Sequence, residues 1–175
     1  MEGLKKILDE LIDLSSEEWE LFIGILKEER FISKATIVKE GIIASKIYFI
    51  KSGLLRSYYY EDGKDITTYF ACDNQFIGTF SSFITQTPSN EILEAIEASI
   101  VYSLSYNDLN NLYKSYPKFE KLGRAWAEKN YLCVLERTTT MQTKTGKQKY
   151  LDFIKSYDKK IVQFAPHHQI ASFLG

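Results

Sequence analysis

Apolar residues at the start of the chain recur at helical spacing. Helical spacing of this kind predicts a short amphipathic helix with Leu4, Ile7, Leu8, Leu11 and Ile12. Ser15 then offers an N-cap, and Glu18, three residues later, completes a capping box. The helix that begins there is predicted to end near Arg30. Both helices are interpreted as packing elements of a larger domain.

From Phe31 the pattern changes to short strands separated by turn residues. Asp62-Gly63 lies between two strand-like runs and is a strong hairpin signal. Residues 81–90 show no periodicity and are interpreted as irregular. Short strands with regularly spaced turns predict a β-sandwich, barrel or roll. The predicted strands are 36–38, 47–50, 54–60, 66–70, 92–96 and 100–104.

Helical spacing returns over residues 105–116, which predicts one helix. A second, long helix is predicted over residues 117–141. Two adjoining apolar stripes run along the long helix. Two stripes need two partners, which favours a domain on one side and the same helix of a second chain on the other. Burial of one broad face within a single domain is the alternative. The first stripe holds Phe119, Leu122, Trp126 and Cys133, and the second holds Ala125, Leu132 and Leu135.

The remaining residues predict a second, smaller group of elements. Residues 147–157 have helical spacing, residues 159–164 are interpreted as a linker or short strand, and a last helix begins near Pro166. The predicted buried side of the first of these helices consists of Tyr150, Leu151, Phe153, Ile154 and Tyr157.

Composition narrows the class of protein. The chain has 175 residues, 45% of them hydrophobic, and a net charge of −1, which suits one complete domain and part of a second. Because the net charge is close to zero, any basic surface that binds nucleic acid must be local. Cys72 and Cys133 form no C-x-x-C pair, so each is expected to be a small buried hydrophobe in a reducing compartment. Residues 1–14 lack the apolar run of a signal peptide or membrane span, which predicts a cytoplasmic protein.

Several motifs, in this order, resemble the Crp/Fnr family of bacterial transcription regulators. The resemblance implies an α+β fold: a cyclic-nucleotide-binding-type, jelly-roll-like β-roll with flanking helices, a long dimerisation helix and the start of a winged helix-turn-helix. The implied domains are a sensor at 1–116, the dimerisation helix at 117–141 and a DNA-binding domain at 142–175. The recognition helix would follow Gly175, so the chain is expected to be truncated within the helix-turn-helix. The motifs are TIVKEG (36–41), IYFIKSG (47–53), DNQFIG (73–78), ASIVYSLS (98–105), TGK (145–147) and QIASFLG (169–175).

In that family a short cassette binds a cyclic phosphate, with an Arg on the phosphate and a Glu on the ribose. Here Thr79 stands where the Glu belongs and Ser89-Asn90-Glu91 stands where the family has Arg-Ser/Thr-Ala, and residues 65–113 contain no Arg or Lys. Arg56 is the only nearby cation that could substitute. Two interpretations stay open: a pocket for another small-molecule effector, neutral or weakly anionic, or a filled, vestigial pocket. The predicted ligand-binding residues are Gly78, Thr79, Phe80, Ser81, Ser82, Ser89, Asn90, Arg56 and Cys133.

The resemblance also implies sites for DNA and for a second copy of the chain. His167 and His168 open the last helix, where family members contact the DNA backbone, and solvated side chains at a helix start are the alternative. A lysine-rich segment precedes them. The predicted DNA-binding residues are His167, His168, Gln169, Lys144 and Lys147; the predicted dimer interface is Leu122, Trp126 and Cys133.

Other functions of a roll are disfavoured by the residues present. The predicted roll contains no His for a cupin metal site or an axial haem ligand, and no cysteine cluster for an iron–sulfur centre. The sequence therefore predicts a non-enzymatic protein without cofactor or membrane partner. The prediction is a homodimeric, DNA-binding transcription regulator that senses an effector other than cyclic AMP. The alternative is a ligand-binding or interaction module without DNA-binding activity.

Overall fold

The structure, a computed structural model, describes residues 1–175 and contains eight helices and eight strands. The first half consists of α1 (Glu2–Asp9), α2 (Ser16–Ile25), β1 (Lys27–Phe31), β2 (Thr36–Val38), β3 (Lys46–Ser52), β4 (Leu54–Glu61), β5 (Lys64–Cys72) and β6 (Phe76–Ile77). The second half consists of α3 (Phe80–Thr85), β7 (Ile92–Ala95), β8 (Ser99–Ser105), α4 (Tyr106–Ser115), α5 (Lys118–Thr143), α6 (Gly146–Ser156), α7 (Lys159–Phe164) and α8 (His167–Leu174).

The strands form two antiparallel four-stranded sheets, ordered β1-β8-β3-β6 and β2-β7-β4-β5. Their inner faces enclose the main core, to which Ile50, Leu55, Ala71, Leu93 and Val101 contribute fully buried side chains. This is a jelly-roll with flanking helices, and the predicted fold class is confirmed. None of the eight helices has both the length and the apolar character to cross a membrane.

The β4–β5 hairpin forms where Asp62-Gly63 predicted it. Both turn residues have positive φ, 50° and 74°, which is the backbone of the tightest hairpin loops. The pairing continues to Leu54 opposite Cys72 but shifts register between Ser57 and Tyr58. β5 is the outer strand of its sheet, so one of its edges has no strand partner.

The second helix is shorter than predicted. Its Ser15–Glu18 capping box is present, but the helix ends at Ile25, and residues 27–31 form β1 against β8. The prediction that the helix reaches Arg30 was wrong. Pairing with β8 satisfies the backbone of this segment and places Phe31 edge-on against Tyr48, an arrangement that helical spacing cannot reveal.

The two stripes of α5 are present, but only one contacts the roll. Phe119 is fully buried in the main core, and Leu122 and Trp126 pack against it. Leu132 and Leu135 on the second stripe remain 62% and 49% exposed. The long helix therefore carries one satisfied and one unpartnered apolar face.

Helices α6 to α8 pack against the outer face of the β4–β5 hairpin and form a second core with it. Residues 159–164 are helix α7 and not a linker or strand, because the Asp158 side chain caps the segment at the Lys160 amide. Of the predicted buried side of α6, only Phe153 is buried. The second core consists of Leu54, Phe70 and Cys72 from the hairpin with Phe153, Ile161, Ala165, Ile170 and Phe173 from the helices.

Gly53, between β3 and β4, is required by two separate constraints. Its φ is +139°, and an added Cβ would overlap the Ser99 side chain and lie 2.8 Å from the Ser99 Cα. Gly41 also has positive φ, +78°, but an added Cβ there meets nothing within 4 Å.

We expect Gly53→Ala to lower the free energy of unfolding by about 2–4 kcal/mol, since strain and overpacking combine. Gly41→Ala, which adds backbone strain alone, should cost about 1–2 kcal/mol. Urea denaturation of the two variants measures the difference. Equal losses would contradict the contact between Gly53 and Ser99.

Candidate functional site

The cassette segment follows β6 and leads into the six-residue helix α3. Thr79 is 1% exposed, and its hydroxyl has no hydrogen-bond partner. Ser82 is also buried, but its hydroxyl accepts from the Ala44 amide at 2.9 Å and donates to the Thr87 carbonyl at 2.5 Å. Ser82 therefore fixes the adjoining loops, while Thr79 presents an unused polar group inside the protein.

Aromatic side chains close the cassette against the long helix. Phe80 meets the Trp126 ring edge-on at 4.6 Å between centroids, and Phe76 lies 5.1 Å from the same ring. Trp126 therefore packs against the roll of its own chain. At Gly78, the neighbouring Ile47 side chain leaves little room for a larger residue. Leu122 and Trp126 lie on the face of α5 that contacts the roll, away from the exposed stripe.

Arg56 does not face the interior of the roll. It is 3% exposed and lies on the outer face of its sheet, where its two terminal nitrogens each contact Asp65 at 2.6 Å and one reaches Glu94 at 3.2 Å. Burial alone would lower the pKa of Arg56, but Asp65 and Glu94 raise it above its ordinary value. The expectation that Arg56 could serve as the ligand cation is not supported by this geometry.

Inside the roll the polar groups form a short chain of hydrogen bonds. The Ser57 and Thr68 hydroxyls lie 2.8 Å apart, and Thr68 donates to the Glu91 carboxylate at 2.5 Å. Ser89, one of the predicted ligand residues, bonds to the backbone of Glu91 and so stabilises its own turn; Asn90 is exposed. Sequence reasoning missed Ser57, Thr68 and Glu91, because only the shift in β4–β5 register brings them together.

The long helix contributes different groups from those predicted. Cys133 is exposed, contrary to the expectation of burial, and Leu132 is exposed as well. Arg137, one turn beyond Cys133, instead contacts the roll: it donates to the carbonyls of Thr68 at 2.6 Å and Thr67 at 3.3 Å. No spacing signal distinguished Arg137 from a solvated arginine.

The predicted DNA-contacting residues have unequal surroundings. His167, His168 and Lys147 are exposed, and Lys144 is exposed but paired with Asp152 at 2.7 Å. Gln169 is buried, and with its amide oxygen toward Arg56 it accepts from that guanidinium at 3.2 and 3.3 Å. Gln169 therefore belongs to the contact between α8 and the roll.

Two further lysines of the basic segment are also engaged within the protein. Lys149 is buried and donates to the Gly175 carbonyl at 3.0 Å. Lys160 forms ion pairs with Asp73 at 2.9 Å and Glu97 at 2.6 Å. The basic surface is thus smaller than the lysine count implies. No group of three or more His, Cys, Asp or Glu side chains is arranged to hold a metal ion.

Comparison with known families accounts for the roll. Residues 28–116, just over half of the chain, match the family described as the cyclic nucleotide-binding domain. The chain belongs to this family. The matched range starts in β1 and ends directly after α4, so it coincides with the two sheets and the helix that follows them.

Solved structures show the same fold at low sequence identity. A cyclic nucleotide-binding domain from Methylobacillus flagellatus is 18% identical, with a TM-score of 0.66 and coverage of 81% of both chains. CLP, a c-di-GMP-responsive global regulator from Xanthomonas campestris, is 16% identical, with a TM-score of 0.65 and coverage of 83% of this chain and 73% of that one. The Thermus thermophilus catabolite activator protein is 15% identical, with a TM-score of 0.58 and coverage of 92% and 82%.

These structural neighbours are regulators or a binding domain, and their coverage extends beyond the roll. No curated protein matches the chain. At these identities the likeness to solved structures shows a shared fold.

Proposed function

We propose that this protein is a Crp/Fnr-type transcription regulator. Its sensor comprises residues 1–116, its dimerisation helix residues 117–141, and its DNA-binding part residues 142–175. The observation that carries the proposal is the order of parts: a cyclic nucleotide-binding roll, then a long helix with an exposed apolar stripe, then a helical unit that begins its last helix with two exposed histidines.

The second copy is proposed to bind on the stripe formed by Leu132 and Leu135. Thr139 continues this stripe at heptad spacing, and the three residues line one shallow groove along the helix. Two such helices side by side would cover leucines that water now reaches. The proposed interface therefore replaces Leu122 and Trp126, which the roll already covers, with the neighbouring stripe.

DNA is proposed to contact the face that carries His167, His168 and Lys147. All three side chains are exposed, and each can reach a phosphate without breaking an ion pair within the protein. Lys144 would first have to leave Asp152. Contacts of this kind position a protein on DNA and carry no sequence information.

We expect residues 1–175 to bind duplex DNA weakly and without sequence preference, with a steep dependence on salt. Lys147→Gln should reduce the slope of log affinity against log salt by about 1. Lys114→Gln, which removes an exposed lysine of the sensor, is the matched control and should leave the slope unchanged. Fluorescence anisotropy over a salt series measures both.

The same experiment separates this function from the alternative of a ligand-binding or interaction module. The alternative is favoured by the ion pairs and the hydrogen bond that Lys144, Lys149 and Lys160 form within the protein. Identical slopes for Lys147→Gln and Lys114→Gln, or no binding at low salt, would favour the module.

A further inference from the structure

Helix α8 covers the free edge of β5. The Thr67 amide donates to the Ser172 hydroxyl at 3.1 Å, and the Thr67 carbonyl accepts from Arg137 at 3.3 Å. Both groups belong to the edge that has no strand partner. Unpaired strand edges need such protection, because their amides and carbonyls otherwise remain open to other chains. The cover here comes from two helices, α5 and α8, that lie outside the matched family domain.

Arg137 joins three elements through a single guanidinium. From α5 it donates to Thr68 and Thr67 on β5 and to the Phe173 carbonyl on α8 at 3.0 Å, and it stacks over the Phe173 ring at 4.3 Å. Its acceptors are neutral carbonyls, and burial lowers the pKa of the guanidinium. A half-buried cation with no carboxylate in direct contact is stabilised in large part by these carbonyls. Movement of β5 therefore changes what Arg137 can bind.

The register shift in β5 connects this contact to the interior of the roll. Ser57 pairs with Tyr69 and Tyr58 pairs with Thr67, so Thr68 is the extra residue of a β-bulge. Thr67 faces outward, where its hydroxyl lies 3.0 Å from Arg56 and 3.2 Å from Ser172. Its neighbour Thr68 faces inward and bonds to Ser57 and Glu91. One peptide unit thus separates the inner polar chain from the contact with α8.

We propose that Arg137 and the β5 bulge form a joint through which the interior of the roll controls the docking of helices α6 to α8. A ligand that forms hydrogen bonds with Thr68 or Glu91 in place of their bond to each other would move the carbonyls of the bulge. Arg137 would then lose or keep its contact with Phe173, depending on where those carbonyls lie. The inference rests on the proposed function in one respect only: DNA binding would be the activity that this docking controls. The coupling itself is a property of this chain and is measurable without DNA.

Cys72 reports on the docking of the helices. Its side chain is buried in the second core, between the hairpin and α7. Burial, together with the neighbouring Asp158 carboxylate, raises the pKa of the thiol to about 12. Only the thiolate reacts with iodoacetamide, so the docked protein protects Cys72 and undocking exposes it. Cys133 is exposed on α5 and serves as an internal reference for the reagent.

The test is the rate of Cys72 alkylation in the full chain, followed by peptide mass spectrometry and normalised to Cys133. Arg137→Gln removes the joint and should accelerate labelling at least about tenfold. Thr68→Val removes only the inward hydroxyl and should accelerate labelling about fivefold, through the bulge. Arg124→Gln, the same change at an exposed position of the same helix, should label like the wild type.

The outcomes separate the two parts of the inference. If Arg137→Gln labels no faster than Arg124→Gln, the joint is wrong. If Thr68→Val keeps the wild-type rate while Arg137→Gln does not, the helices are held by Arg137 but the interior does not control them, and the coupling is wrong. Should Arg137→Gln fail to fold, Ser172→Ala tests the same edge by removing one hydrogen bond, and an unchanged rate there would overturn the joint. Loss of DNA binding alters none of these rates, so failure of the proposed function is recognised separately.

Discussion

Cyclic AMP is expected to bind this protein with a dissociation constant of about millimolar or weaker. A hydrogen bond to a charged group contributes about 1.5–3 kcal/mol. The cassette lacks both the Arg and the Glu that the family resemblance implies, so about 3–6 kcal/mol of binding free energy is missing. Each 1.4 kcal/mol is a factor of ten in affinity, which makes the loss about 10²–10⁴-fold.

In the structure, the two arginines nearest to the roll's polar residues are bonded elsewhere and do not replace the missing positive charge. Arg56 faces outward and is held by Asp65 and Glu94. Arg137 is held by carbonyls of β5 and α8. The interior instead presents the Glu91 carboxylate, bonded to Thr68, and the unpaired Thr79 hydroxyl. Such a lining disfavours an anion and suits a ligand with hydroxyl or other neutral hydrogen-bonding groups.

Titration calorimetry with cyclic AMP, cyclic GMP and adenosine measures this directly. Adenosine is the matched control, because it keeps the base and ribose but has no phosphate. We expect the cyclic nucleotides to bind no more tightly than adenosine. A dissociation constant near micromolar, or a cyclic nucleotide that binds a hundredfold better than adenosine, would show that an unrecognised cation reaches the cassette.

The double substitution Leu132→Glu with Leu135→Glu is expected to convert a dimer into a monomer. Burying a leucine side chain contributes about 1.5–3 kcal/mol, and two copies would bury four of them. The substitutions replace these leucines with four carboxylates facing one another, and an unpaired buried charge costs several kcal/mol more. Because both leucines are exposed within a single chain, the roll should remain folded.

Val134→Glu is the matched control for the dimer. Val134 is 64% exposed but lies on another side of α5, so its change adds the same charge without touching the proposed stripe. Analytical ultracentrifugation should give the mass of two chains for the wild type and this control, and of one chain for the double variant. A double variant that keeps the wild-type mass, or a monomeric wild type, would place the dimer contact elsewhere or remove it.

The roll could be predicted from the sequence because its signals are local. Strand alternation, the Asp62-Gly63 turn and the Ser15–Glu18 capping box each lie within a few residues, and each is present in the structure. β1 was missed because residues 27–30, which helical spacing assigned to the end of the second helix, pair with β8, far away in sequence. Helix α7 was missed because its cap, Asp158, precedes a segment too short for helical periodicity to show.

The partners of each surface were harder to predict than the surfaces themselves. The two stripes of α5 were recognised, yet periodicity does not say which stripe contacts the roll; the aromatic contacts of Trp126 with Phe76 and Phe80 decide it. The inward facing of Thr68 likewise depends on the β-bulge, which interrupts the alternation along β5 and has no sequence signature here. Charge counting overstated the basic surface, because Lys149 and Lys160 bond within the protein.

Whether the protein is a dimeric DNA-binding regulator can be decided by comparing the DNA affinity of the wild type with that of the Leu132→Glu, Leu135→Glu variant over a salt series. The slope of log affinity against log salt is about −0.9 for each phosphate contacted. A dimer places two copies of the face around Lys147, His167 and His168 on one duplex, so we expect a slope for the wild type about twice that of the variant. Equal slopes and affinities for the two proteins, or no binding by the wild type at low salt, would contradict it.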